Sequence, residues 1–169
     1  KTTGEIWKDR NGLSWTDMGS REVWDYNIRV AKGAYKVGFD ELNFDYIRFP
    51  SDGDMADIMY PSFIDKKIDK SEELRIFFHY LSNKLRDLGV TTSADLFGMT
   101  TTNTDDLNIG QVLENAIPYF GYISPMVYPS HYPSGFNNYA NPAEHPYEII
   151  YAAMQRASER LIKASSTSL

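Results

Sequence analysis

The chain has 169 residues, 42% hydrophobic and 24% charged, an ordinary globular balance with enough apolar material for one core. A net charge of −6 argues against a phosphate-backbone partner, and no apolar run is long enough to span a membrane. The absence of cysteine excludes disulfides and thiolate metal sites, while 12 Tyr, 9 Phe and 3 Trp supply flat faces of the kind that sugar clefts use.

No signal peptide is visible, and the abrupt start at Lys1 is compatible with one removed or lying upstream. Residues 4–15, with Ile6, Trp7, a turn at Asn11-Gly12, then Leu13 and Trp15, read as two short strands or a hairpin. Ser20 is placed to cap a helix over 21–36, in which Trp24, Ile28, Ala31 and Tyr35 share one face. A strand over about 39–48 follows, between Gly38 and Pro50. Alternation gives Leu42, Phe44 and Tyr46 one face and Glu41, Asn43 and Asp45 the other. Flanking helices imply a parallel strand covered on both faces, and a row of acids there is costly unless it lines a site.

Asp52 and Asp54 lack the spacing and closing Glu of a calcium loop and read as a solvated turn. Ser71 is placed to cap a helix over 72–88 with a stripe of Leu74, Phe77, Phe78, Leu81, Leu85 and Leu88, ended by Gly89. A second strand over 90–97 puts Thr91, Ser93 and Asp95 on one face. A helix over 107–117 leads to a third strand over 122–128. The following loop carries Tyr128, His131, Tyr132, Phe136 and Tyr139 and is too long for a simple connector. Pro146 opens a last helix to about 164, before a frayed tail at 165–169.

Helix and strand therefore alternate, which implies right-handed crossovers and a parallel sheet. No Gly-x-Gly-x-x-Gly loop supports a dinucleotide fold, whereas Asp45 and Asp95 fall at C-terminal strand ends, as in a (β/α)8 barrel. Such a barrel needs about 250 residues. The expectation is a single α/β domain over 1–169 of TIM-barrel type, a partial barrel with parallel strands at about 39–48, 90–97 and 122–128. A partial barrel would expose strand edges and invite self-association.

The runs Asn43-Phe44-Asp45-Tyr46-Ile47-Arg48-Phe49-Pro50, Ser93-Ala94-Asp95-Leu96-Phe97-Gly98 and Ile123-Ser124-Pro125-Met126-Val127-Tyr128-Pro129-Ser130-His131-Tyr132 resemble the bacterial glycoside hydrolase-like family DUF4015. The likeness extends to Trp24-Asp25-Tyr26-Asn27, to Asn141-Pro142 and to Pro146-Tyr147-Glu148, nearly the whole chain. It implies a TIM-type barrel and hydrolysis of a sugar chain, with strands beyond both ends of this sequence. By the same analogy an enzyme of this kind would meet its poly- or oligosaccharide outside the cytoplasm.

Set beside the family 18 glycosidase strand Asp-x-x-Asp-x-Asp-x-Glu, this sequence has Asp40, Asn43 and Asp45, then Ile47 at the acid position. Met126-Val127-Tyr128 resembles that family's Met-x-Tyr-Asp strand, with Pro129 in place of the Asp. Substrate-assisted chemistry with the same acid is therefore not expected. What remains is a pair of carboxylates flanking a glycosidic bond. Asp45 is the expected nucleophile or base and Asp95 its partner acid, with Glu148 in reserve. Asn43, counted with the substrate-binding residues, would orient Asp45 or satisfy buried backbone, and Arg48 would hold Asp45 ionised or bind an acidic sugar substituent. Tyr128, His131 and Tyr132 would line the cleft. No cofactor is expected, and no metal, since His131 has no second ligand at zinc spacing. The alternatives are a non-catalytic carbohydrate-binding or scaffold module and a metal-dependent deacetylase.

Overall fold

The computed structural model describes residues 1, 3–62 and 68–167. Four helices, α1 (Arg21–Lys36), α2 (Lys70–Leu85), α3 (Leu113–Ala116) and α4 (Pro146–Thr167), alternate with three strands, β1 (Glu41–Phe44), β2 (Thr91–Phe97) and β3 (Tyr122–Met126). The strands form an open parallel sheet in the order β1-β2-β3, with no closure into a barrel among the described residues. Asn43 stands opposite Ser93, Ser93 opposite Tyr122, and Asp95 opposite Ser124. Pro125 lies within β3, where an edge position tolerates its missing N–H. Among the described residues no helix is long and apolar enough to cross a membrane.

Among the described residues only one face of the sheet is packed over by helices. Leu42, Ala94 and Leu96 point into a core built from Trp24 and Ile28 of α1, Leu74, Phe77, Phe78 and Leu81 of α2, and Leu113 and Ala116 of α3. Trp24 is its centre: the indole N–H donates to the Met18 carbonyl at 2.6 Å, and the ring lies 5.2 Å from Phe77 and 5.6 Å from Tyr80. On the other face Glu41, Asn43, Tyr122 and Ser124 are exposed. The expected cover on both faces is therefore absent, and these polar side chains stay in water instead of paying the desolvation cost of burial.

Other expectations are adjusted by local chemistry. The first strand ends at Phe44 rather than 48, because Tyr46 takes a left-handed backbone (φ 54°) and breaks the alternation. Phe39, expected inside that strand, is exposed, and so is Tyr35 at the end of α1. The hairpin at 4–15 reduces to one bridge between Lys8 and Ser14. Ser20 caps α1 as expected. At α2 it is Asp69, not Ser71, that caps: its carboxylate accepts from the Glu72 amide at 2.8 Å, and the Ser71 hydroxyl donates to it. The helix expected over 107–117 contracts to one turn, since Leu107, Asn108 and Gly110 all take positive φ. The tail expected to fray instead continues α4 through Thr167, and residues 168 and 169 lie outside the described residues.

Candidate active site

The open face places its acids at the C-terminal ends of β1 and β2. Asp95 is the fifth residue of β2, half-buried, on the same side as Ser93. The Ser93 hydroxyl, buried, donates to Asn43 Oδ1 at 2.9 Å, and Asn43 Nδ2 donates to Asp95 Oδ2 at 2.8 Å. The direction of this chain is fixed by chemistry: turning the Asn43 amide over would set its carbonyl oxygen against the carboxylate. Asn43 thus orients Asp95 across the strand pair rather than Asp45, two residues further along its own chain segment. Asp95 Oδ1 stays available.

Asp45 lies one residue past the last paired residues, Phe44 and Ala94, where the ladder between β1 and β2 stops. Its Oδ1 accepts from the next backbone amide, Tyr46 N–H, at 2.6 Å. That bond accompanies the positive φ of Tyr46, a conformation that costs a non-glycine residue about 1–2 kcal/mol. Outliers of this kind gather at functional sites.

Arg48 does not pair with Asp45 within 4 Å. Its guanidinium is half-buried, 5.0 Å from the centre of the Trp15 ring and 5.5 Å from that of Tyr46. Burial pulls it below its ordinary value, while Tyr46, Asp52 and Asp45 act in the opposite sense. Trp15 is held in turn by Asp9, whose carboxylate accepts from the indole N–H at 3.0 Å and from the Leu13 and Asn11 amides. These donors, Trp15 foremost, hold Asp9 below the ordinary carboxylate range.

The loop after β3 folds over the end of β2. His131 stacks on Phe97, ring centres 6.2 Å apart, and contacts Tyr128 at 5.0 Å. Tyr128 and His131 are exposed. Tyr132 is not: only 5% exposed, it packs against Phe136 at 4.5 Å and supports the loop. Its burial raises the phenol's pKa, with Thr101 acting the other way. Glu148 is half-buried in the first turn of α4. Among the described residues no hydrogen bond or ion pair joins it to Asn43, Asp45 or Asp95.

Two positions that sequence reasoning passed over hold the site together. Gln111, 1% exposed, accepts from the Phe97 amide at 2.9 Å and donates to the Ile47 carbonyl at 3.2 Å. It clamps the chain leaving β1 to the end of β2, two residues beyond Asp45 and Asp95 respectively. A buried glutamine in a loop carries no periodic signal, so pattern alone does not find it. Gly98 is the second: a Cβ there would lie 2.8 Å from Val127 Cα, so only glycine lets β2 pass the end of β3 this closely. Among the described residues no three His, Cys, Asp or Glu side chains gather as metal ligands.

No curated protein matches the chain. No solved structure matches it either. The family model of DUF4015, described as "Putative glycosyl hydrolase domain", matches residues 1–168, and the chain belongs to that family.

Proposed function

We propose that the protein is a glycoside hydrolase that cleaves a poly- or oligosaccharide with a pair of carboxylates, and that its sheet is part of a (β/α)8-type barrel. One observation carries the reading: Asp45 directly follows β1 and Asp95 lies in the C-terminal half of the neighbouring parallel strand β2, with Asn43 bonded to Asp95 and Gln111 joining the chain beyond each acid. Active sites of parallel β/α folds gather at that end. Each acid has one oxygen anchored and one left for chemistry. Asp95, with Oδ2 taken by the Asn43 amide, would carry its proton on Oδ1 and deliver it to the leaving oxygen. Asp45 would attack the anomeric carbon or activate water. A carboxyl separation of roughly 5–5.5 Å would make such a pair retaining and one of roughly 6.5–9.5 Å inverting, so the anomeric configuration of the product reports the geometry of the pair.

Tyr128 and His131, exposed above Phe97, would stack on the sugar. Glu148 is the reserve acid. A non-catalytic carbohydrate-binding module is the second reading, favoured by how open the polar face is. Asp45→Asn and Asp95→Asn, screened with wild type on chromogenic and natural oligosaccharides, separate the two. Hydrolysis falling at least a thousandfold in both, with circular dichroism unchanged, supports the enzyme. Glycan affinity without hydrolysis in all three proteins supports the module. Hydrolysis untouched by Asp95→Asn but lost in Glu148→Gln moves the acid to α4.

A further inference from the structure

We propose that this site takes a sugar bearing a carboxylate, a uronic-acid-containing glycan, and that Arg48 reads the acid. The proposal rests on the assignment of Asp45 and Asp95 as the reacting pair. Arg48 lies three residues beyond Asp45, in the turn that the left-handed Tyr46 creates, with its own amide donating back to the Tyr46 carbonyl at 2.9 Å. Among the described residues its side-chain hydrogen bonds leave from one nitrogen: Nη1 donates to the Phe49 carbonyl at 3.0 Å and to Ser51 Oγ at 3.4 Å. Among the described residues, Nε and Nη2 have no acceptor and no carboxylate lies within 4 Å of the group. Nε–H and the adjacent Nη2–H form the edge of the guanidinium that grips two carboxylate oxygens in one plane.

The surroundings fit a sugar around that acid. Trp15 and Tyr46, ring centres 6.2 Å apart and inclined at 59°, make a notch against which the guanidinium rests, and Tyr46 is 65% exposed. A pyranose can lie on such a ring while its carboxylate meets the fork. Charge gives the arginine a purpose that turn support does not. The chain carries −6 and the reacting groups are themselves acids, so an acidic substrate would be repelled without a fixed cation beside them. Asp45 and Asp52 do act on Arg48 through space, yet neither forms the pair that would occupy it.

The test is calorimetric titration of wild type, Arg48→Gln and Arg48→Lys with defined tetrasaccharides. The probes are α-1,4-galacturonate and β-1,4-mannuronate, their neutral methyl esters, and a sulfated neutral tetrasaccharide. One of the uronates should bind wild type at least tenfold more tightly than its ester and than the sulfated sugar. Arg48→Gln should abolish that preference. Arg48→Lys, which keeps charge without the fork, should retain only part of it and guards against a misfolded glutamine variant. Equal binding of acid and ester, a preference that survives Arg48→Gln, tighter binding of the sulfated sugar, or no binding of either uronate overturns the assignment. Hydrolysis of neutral glycans that is lost in Asp45→Asn, with no acid preference, removes this proposal and leaves the carboxylate pair standing. Acid-specific, Arg48-dependent binding without hydrolysis of any probe does the reverse.

Discussion

Gln111→Leu is the perturbation that tests the site's architecture without needing a substrate. The leucine has nearly the glutamine's volume, so packing changes little and the loss is polar. Wild-type Gln111 is 1% exposed and satisfies a backbone donor, Phe97 N–H, and a backbone acceptor, the Ile47 carbonyl. Leucine satisfies neither. A buried polar group left unpaired costs about 1–3 kcal/mol. The Ile47 bond, at 3.2 Å, is the longer of the two and contributes toward the low end. The expected loss is therefore about 2–4 kcal/mol, read as a lower urea midpoint at constant slope. Hydrogen exchange at the Phe97 amide should accelerate beyond what global destabilisation explains. Gln111→Glu adds a sign. A carboxylate still accepts from Phe97 but faces the Ile47 carbonyl with no donor, so in the folded variant its pKa is raised above the unfolded value. The variant should be most stable below the unfolded pKa, about 4.3, and lose stability as pH rises through the folded one. A Gln111→Leu midpoint within 0.5 kcal/mol of wild type, or a Gln111→Glu profile parallel to wild type, would refute the clamp.

Other outcomes follow from the same geometry. Asn43→Ala leaves the buried Ser93 hydroxyl without its acceptor, while water can replace the amide at Asp95, so about 1–2 kcal/mol should be lost. Most of it should return in the Asn43→Ala/Ser93→Ala double variant, and strictly additive denaturation energies would dispose of the chain. Gly98→Ala forces a methyl against the β3 backbone and should cost about 1–3 kcal/mol by denaturant melts; a neutral result would mean the strands separate freely there. Arg160 pairs with Glu114 and also donates to the Asn103 carbonyl, tying α4 to α3 and the loop after β2. Its guanidinium holds Glu114 below the ordinary 4.5. That contribution is present above 4.5 and fades as pH falls through the depressed folded value, and it stays under about 1 kcal/mol because Glu114 is partly solvated. Arg160→Gln should flatten that limb of the stability–pH curve, and an unchanged limb would argue against the pair.

How much of this was legible in the residues differs between elements. The helix with Trp24, Ile28 and Ala31 on one face, its Ser20 cap and the three parallel strands follow from periodicity and punctuation. The boundaries that moved did so where a side chain competes with the ladder. Asp45 captures the Tyr46 amide and ends β1 three residues before the alternation fails on paper. Asp69 and Ser71 are both good capping residues two positions apart, and only the fold shows the serine donating to the aspartate. In the site, Asn43, Asp45 and Asp95 were readable as a polar face, since a period of two assigns faces. Their partnership was not: Asn43 serves Asp95, 52 residues away, because the parallel register brings it there. Trp15 next to Arg48, and Gln111 between two strand ends, are contacts that no local pattern encodes.

The placing of the two acids proposed as the reacting pair depends on the opposite side of the sheet. Asp45 and Asp95 belong to different strands, so their spacing depends on the register between β1 and β2. A slip of one residue along β1 would turn Asn43 and Asp45 away from Ser93 and Asp95 altogether, because it exchanges the two faces. The polar face resists such a slip only weakly: Asn43 is exposed, water can replace its bond to Asp95, and the bond to the buried Ser93 hydroxyl is worth about 1–2 kcal/mol. The apolar face resists it more. Leu42 is 6% exposed beneath α1 and α2, Phe44 packs 6.3 Å from Phe120, and on the same face of β2 Ala94, opposite Phe44, and Leu96 are fully buried. Exchanging the faces would place Leu42 and Phe44 in solvent and Glu41 and Asn43 in the core. Burial of one such side chain is worth about 1.5–3 kcal/mol, against about 1 kcal/mol for a typical exposed hydrogen bond. Leu42 and Phe44, which never face the site, are therefore the residues that keep its acids in line.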